Sequence, residues 1–342
     1  MSEIKVNNIQ SLSGTNGPVV SGITTMASSG AMSLPRGNTA YRGGRGRGVL
    51  GGGATPSVVN TIQYIQISTT GDALDFGDLA TARYLHASCA SSTRGLFAGG
   101  YTPYKQDIEY VTISSTGNGF VFGDLLAANR NFSGGGNETR GIFVGGLEPG
   151  TNYTKSCEYV TIASLGNSSS FGDLTEARLY TGVVNSSVRL VSMCGGVASP
   201  VSRLNTIDYL TIATLGDATD FGDILSPDDG GPAAACSSTR GVLMGGRNNT
   251  PASATTHNTI QYITISSTGD AIDFGDLTRA QRFGNGTSNG SRAVQMGGAN
   301  PGAQNNIDYF EIDTLGNAQD FGNLTSNLFS GGALSDSHGG LG

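Results

Sequence analysis

From about residue 34 onward, short apolar runs alternate with glycine-rich breaks. Residues 80–125 show the pattern in full. ATARYLHASCA, RGLFAGG, IEYVTIS and GFVFGDL are four runs of strand length, bounded by Gly or Asn-Gly and drawing on Val, Ile, Phe, Tyr and Thr. The third run is apolar at neighbouring positions, which predicts a strand buried on both faces.

The pattern repeats. Phe-Gly-Asp-Leu or a close variant begins at Phe76, Phe122, Phe171, Phe221, Phe274 and Phe321, at intervals of 46, 49, 50, 53 and 47 residues. A tyrosine stands 12 positions before each: Tyr64, Tyr110, Tyr159, Tyr209, Tyr262 and Tyr309. A glycine follows each tyrosine by seven, from Gly71 to Gly316. A Gly-Gly pair ends an apolar stretch once per unit, as at Gly52 and Gly99, with an arginine usually five before it; the fourth copy slips by one, to Arg189. Four strands (a to d) per unit, six units, predicts an all-β fold: a β-propeller of four-stranded blades, six in number, with seven as the alternative. The fixed Tyr-to-Phe spacing gives the c–d hairpin one length in every blade. Ring closure falls either to Leu34–Thr39 at the start or to residues 327–342 at the end, because an open ring leaves an unpaired edge. Domain boundaries follow: an arm over 1–33 and a propeller over 34–342.

The Gly-Gly after the second strand and the following tyrosine resemble the kelch-type propeller over roughly residues 34–342. Kelch blades usually place a Trp shortly after that Tyr. This chain has no Trp, and the Phe of Phe-Gly-Asp takes the aromatic place. Residues 1–33 lack the repeat. They are Ser-, Gly-, Thr- and Asn-rich, punctuated by Ile4, Val6, Ile9, Val19, Val20 and Ile23, which suits an extended assembly arm. The stretch from Lys5 to Thr39 resembles the N-terminal attachment segments of marine tailed-phage fibres, such as those of cyanophage-like viruses. That resemblance implies a virion component, made in the host cytoplasm, whose N-terminus docks on other tail or capsid proteins. A homo-oligomer is expected, with a trimer as the first guess.

Composition then removes function classes. Charged residues are 13% of the chain, against about 25% in an ordinary soluble domain. The net charge is −7, which opposes nucleic-acid binding. Arg42 to Gly48 resembles an RGG segment, but Arg36 and Arg47 keep the spacing of Arg83 and Arg94, so a strand pair accounts for it. No run of 18 apolar residues spans a bilayer as a helix, and no secretory leader is expected from the first residues. The four cysteines are scattered and read as small buried residues. Three histidines in unlike contexts offer no metal site, and no cofactor is expected. Asp78, Asp124, Asp173, Asp223 and Asp276, with Asn323, recur once per blade; symmetry spreads them around the ring, whereas catalytic carboxyl pairs need about 5–9.5 Å. Turn capping, or pairing with Arg83, Arg130, Arg178 or Arg282, explains them without catalysis. A non-enzymatic protein is expected.

The b–c loops vary where all else is fixed. From Gly-Gly to Tyr the distance runs 11, 10, 13, 13, 16 and 11. Variable loops on a rigid scaffold are where recognition sits. In a four-stranded blade these loops share a face with the d–a connections. The candidate ligand-binding residues are therefore Tyr101, Tyr104, Tyr153, Asn248, Asn249 and His257, joined by Arg83, Arg130, Arg178 and Arg282. Aromatic rings stack on sugar CH faces, and amides and guanidinium groups pair with hydroxyls and carboxylates. The expected role is host-surface adhesion to a glycan or protein. A scaffold for other virion proteins is the alternative, and a glycan-active enzyme the weaker one.

Overall fold

The computed structural model describes residues 46–198, 201–228, 230–250 and 253–341, with three short strands before them. The chain divides into two units, Met1–Tyr41 and Arg42–Gly342. In the first, Val19–Val20, Thr24–Met26 and Met32–Ser33 pair as a three-stranded antiparallel sheet. Ile4, Val6, Ile9 and Ile23 lie outside the described residues, as do Leu34–Thr39.

The second unit is a six-bladed propeller. Six four-stranded antiparallel sheets ring an axis, and each follows the chain outward from strand a to strand d. Blade 2 is representative, with Ala87–Ala90, Arg94–Ala98, Asp107–Thr112 and Phe120–Asp124. Blade 1 takes its strand a from the other end of the chain. Gly332–Ser335 pairs with Arg47–Gly51, register Gly332↔Gly51 to Ser335↔Gly48, and closes the ring. The C-terminal candidate is thus the closing strand. Each blade face packs on its neighbour, so the core is six separate clusters between blades. Val49, Ile62 and Phe76 of blade 1, for example, meet Phe97, Val111 and Ile113 of blade 2. This is why strand c is apolar on both faces.

The invariant residues are inter-blade contacts. The glycine of each c–d turn donates its N–H to the Phe carbonyl of the preceding blade: Gly117 to Phe76, Gly166 to Phe122, and so on to Gly71 and Phe321, all at 2.7–3.0 Å. The next residue's side chain then accepts the N–H of the Phe-Gly-Asp aspartate, as in Asn118 Oδ1 with Asp78 N at 3.0 Å and Asp217 Oδ1 with Asp173 N at 3.0 Å. The turn comes so close that a Cβ on Gly172 would overlap the carbonyl oxygen of Gly216. A c–d turn of any other length would miss this seat. The arginines repeated in each blade do related work. Arg47 Nη1 donates to Ile113 O of the next blade at 2.7 Å while its guanidinium lies 4.5 Å over its own Tyr64. Arg94, Arg140, Arg189, Arg240 and Arg292 repeat both contacts. Each tyrosine meets its blade's Phe edge to face, as Tyr64 does Phe76 at 6.0 Å. Arg47, the end of the RGG-like stretch, is therefore a structural residue.

Candidate functional site

The a–b and c–d turns occupy one face of the ring, and the b–c and d–a connections the other. The second face is where the blades differ. Each d–a connection passes through one residue with φ near +58°: Leu85, Asn131, Tyr180, Gly231, Phe283 and Ser330, at +54° to +62°. Their backbones hydrogen-bond around the axis, Leu85 N to Ser330 O, Asn131 N to Leu85 O, Tyr180 N to Asn131 O and Ser330 N to Phe283 O, at 2.8–2.9 Å. This collar surrounds the channel mouth. Tyr180 and Phe283, from blades 4 and 6, touch across it at 5.3 Å because Gly231 of blade 5 leaves room between them. Phe329 lies 6.4 Å beyond Phe283.

One candidate group comes together on blades 2 and 3. The Arg130 guanidinium stacks over Tyr101 at 4.3 Å and Tyr104 at 5.0 Å, and Nε donates to the Tyr104 hydroxyl at 3.0 Å. Tyr101 also meets Tyr104 at 5.1 Å and Tyr84 at 6.0 Å. All four side chains are half-buried. The result is a shallow aromatic surface with one fixed cation. Tyr153 is half-buried on a separate small hairpin, Leu147–Glu148 with Asn152–Tyr153.

The blade 4 and 5 loops are β-ribbons rather than irregular loops. Strands b and c run on as Arg189–Ala198 with Val201–Thr211 and as Arg240–Thr250 with Ser253–Thr264. His257 Nε2 lies 2.8 Å from Asp228 Oδ2, on the connection between the two blades. Asp228 is buried and accepts the N–H groups of Gly230 at 2.6 Å and Arg247 at 3.0 Å. Ser226 Oγ donates to Asn248 Oδ1 at 3.2 Å. Asn249 pairs with Ala254 through the backbone. These contacts bind the blade 5 ribbon to the end of blade 4.

Arg83 and Arg178 do not reach the surface of the loop face. Both are fully buried. Arg83 is ion-paired with Asp107 and Glu109 and donates to Gly99 O at 3.0 Å; Arg178 is ion-paired with Asp208 and donates to Thr206 O at 3.1 Å. The reason is a one-residue offset. Arg83 and Arg178 stand four residues after Leu79 and Leu174, whereas Arg130 and Arg282 stand five after Leu125 and Leu277. The fourth position points between blades and the fifth reaches the mouth. There Arg282 lies 5.2 Å from the Phe283 ring. Nor do the buried arginines pair with the Phe-Gly-Asp aspartates, as the sequence suggested; Asp173 meets Lys155 instead, at 3.2 Å.

Among the partners of these arginines, Glu109 and Asp208 stand just before a tyrosine, a position held in the other blades by Gln63, Glu158, Gln261 and Asp308, and all six are buried. Each accepts a backbone N–H from the preceding blade, from Ala80 to Glu109 at 2.7 Å and from Thr175 to Asp208 at 3.0 Å, for example. Glu158 lacks an arginine because Asn129 holds that position, and burial raises its pKa above the usual carboxylate range. The Tyr-minus-one position was readable as polar within an otherwise apolar strand, and it is the signal that went unused.

The a strands line a central cavity of about 150 Å³. Residues after Ser335 cap its turn-face end. His338 Nε2 donates to Ala90 O at 2.9 Å, and Gly340 N donates to His338 Nδ1 at 3.2 Å. The four cysteines are free and buried, and burial lifts the Cys89 thiol to about 12. Among the described residues no three His, Cys, Asp or Glu side chains gather as a metal site. Neither family models nor curated proteins yield a match to this chain.

Proposed function

We propose that this propeller is the outward-facing recognition module of a phage tail fibre or similar virion appendage, with residues 1–33 as its docking arm. The observation that carries the adhesive reading is the Tyr101–Arg130–Tyr104 stack on the variable face. Two aromatic faces beside a held guanidinium suit the CH face of a sugar ring and a carboxylate or hydroxyl next to it. The stack costs little ordering on binding, because the three side chains already hold one another. The chemistry asked of the face is recognition alone.

The test is competition for adsorption. Purified propeller added in excess should block particle attachment to host cells, and the Tyr101→Ala, Tyr104→Ala double variant should not. Equal blocking by both proteins would reject the adhesive face. Deleting 1–33 should leave a folded propeller that no longer joins particles; normal incorporation would reject the arm.

A second reading, a scaffold for other virion proteins, has its own support on the turn face. At least one large apolar side chain per blade stands exposed near the c–d turn: Leu74, Phe120, Leu165, Leu215, Ile272 and Leu315, at 55–61%, with Val121 beside Phe120. Such residues are ordinary singly. A ring of them offers a flat apolar contact to a partner on the particle. Charged replacements at Leu165, Leu215 and Leu315 would then lower incorporation and leave adsorption of the free propeller unchanged.

A further inference from the structure

The cavity wall carries polar groups that the fold leaves without partners. His86 of blade 2, Thr181 of blade 4 and Asn285 of blade 6 line it, and each is at least 95% buried. Thr181 Oγ1 and Asn285 Oδ1 have no hydrogen-bond partner, and the His86 ring meets only the Gly51 backbone, which leaves at least one of its nitrogens free. Asn285 is oriented by its other amide atom, since Nδ2 donates to Met296 O at 3.0 Å. Buried polar atoms are nearly always paired, so three such residues from alternate blades around one cavity need an account.

The repeat supplies an internal control. Phe132 of blade 3 occupies the position equivalent to His86. It meets Phe143 edge to face at 6.1 Å, as His86 meets Phe97 at 5.9 Å. A hydrocarbon ring therefore satisfies the packing there, and blade 2 carries an imidazole instead. Room is kept for it, because a Cβ on Gly332 would come within 2.6 Å of its Nε2. Among the described residues no Asp, Glu, Lys or Arg lines the cavity. Burial, and Arg83 nearby, hold His86 neutral, pushing its pKa down to about 3. A neutral imidazole whose N–H is turned to the Gly51 backbone offers an acceptor, a threonine hydroxyl a donor and an acceptor, and the free amide oxygen an acceptor. A carboxylate would find no cation here, and a cation no carboxylate. Hydroxyl groups, which donate and accept, complete the set.

We propose that the central cavity binds a small neutral polyhydroxylated molecule, a polyol or the terminal sugar of a glycan, with His86, Thr181 and Asn285 as its hydrogen-bonding partners. The site does not depend on the adhesive reading of the outer loops. The His338 cap lies at the turn-face end of the cavity, and the Tyr180–Phe283 contact lies at its collar end.

The experiment is titration of the full chain, with labelled histidine, using myo-inositol and maltotriose as probes and acetate and tetramethylammonium as charged controls. His86 resonances are assigned by their loss in His86→Phe, a variant that blade 3 indicates will fold. Saturable shifts at His86 with inositol identify a free polyol, and shifts with maltotriose alone identify a glycan end. In either case affinity should fall about tenfold or more in His86→Phe and in Thr181→Val. The proposal is overturned if neither neutral probe moves His86 up to about 100 mM, well past a millimolar Kd. Equal shifts from the charged controls, or unchanged affinity in His86→Phe, would overturn it too, leaving ordered water as the cavity's occupant.

Discussion

The two faces of the ring use the same repeat in opposite ways. On the turn face every blade makes the same contacts: turn glycine to Phe carbonyl, turn side chain to aspartate N–H, arginine over tyrosine. On the loop face the blades differ in their side chains and loop lengths. Blade 2 ends in tyrosines, blades 4 and 5 in ribbons, and the collar alternates Leu, Asn, Tyr, Gly, Phe and Ser. A spacing that never varies marks a contact between blades, and a spacing that varies marks surface released from that duty. Substitutions should divide accordingly, with turn-face changes costing stability and loop-face changes costing binding.

The sharpest break should come at Gly172. Valine there would drive a side chain into the Gly216 carbonyl, so Gly172→Val should lose more than about 4 kcal/mol or fail to accumulate as folded protein, read by urea denaturation. Arg178→Ala crosses the boundary the sequence drew wrongly. Taken as a recognition residue it would spare stability. As the buried partner of Asp208 its loss should cost about 3–5 kcal/mol, because an uncompensated charge remains. A urea midpoint like that of the parent protein would restore it to the recognition face.

His86 gives a pH-dependent test. Its folded pKa, about 3, lies below the ordinary value of 6.5, so the unfolded chain binds the extra proton first. The histidine therefore costs nothing above pH 6.5 and destabilises progressively as pH falls toward 3, by up to about 1.4 kcal/mol per pH unit. His86→Phe should flatten the acid limb of the stability profile by that slope, measured as the difference from the parent protein. Parallel profiles would mean that the imidazole gains access to water or a partner in solution. The smallest effect is expected on the loop face. Tyr101→Ala with Tyr104→Ala should weaken adsorption roughly thirtyfold, the loss of about 2 kcal/mol of aromatic anchoring. The same variant should lose less than about 1 kcal/mol of stability.

The fold was legible because Phe-Gly-Asp, the tyrosine 12 residues before it and the turn glycine keep fixed spacings, and each fixed spacing is a contact in the structure. The site was only partly legible. Tyr101 and Tyr104 were found from loop composition, but their stacking on Arg130 joins two blades, and no local pattern announces it. Arg83 and Arg178 were misassigned because one position separates a side chain directed between blades from one at the mouth. Their partners Glu109 and Asp208 lie about 30 residues on, one position before a tyrosine. The collar aromatics Tyr180, Phe283 and Phe329 were missed for the same reason, since each is distinctive only after the blades are aligned on their leucines.

Ring closure by Gly332–Ser335 has a consequence for synthesis. Blade 1 begins with Arg47–Gly51, yet its innermost strand emerges some 280 residues later. At about 5–20 residues per second, that interval is roughly 15–60 s on the ribosome. Throughout it Arg47–Gly51 lacks its strand a, and the turn seat at Gly71 waits for Phe321. Nascent chains on one polysome would carry identical unpaired edges in close proximity, the arrangement in which strands exchange between copies. Moving the closing strand to the front, in a circular permutant beginning near Gly331, would let blade 1 finish first and remove that window.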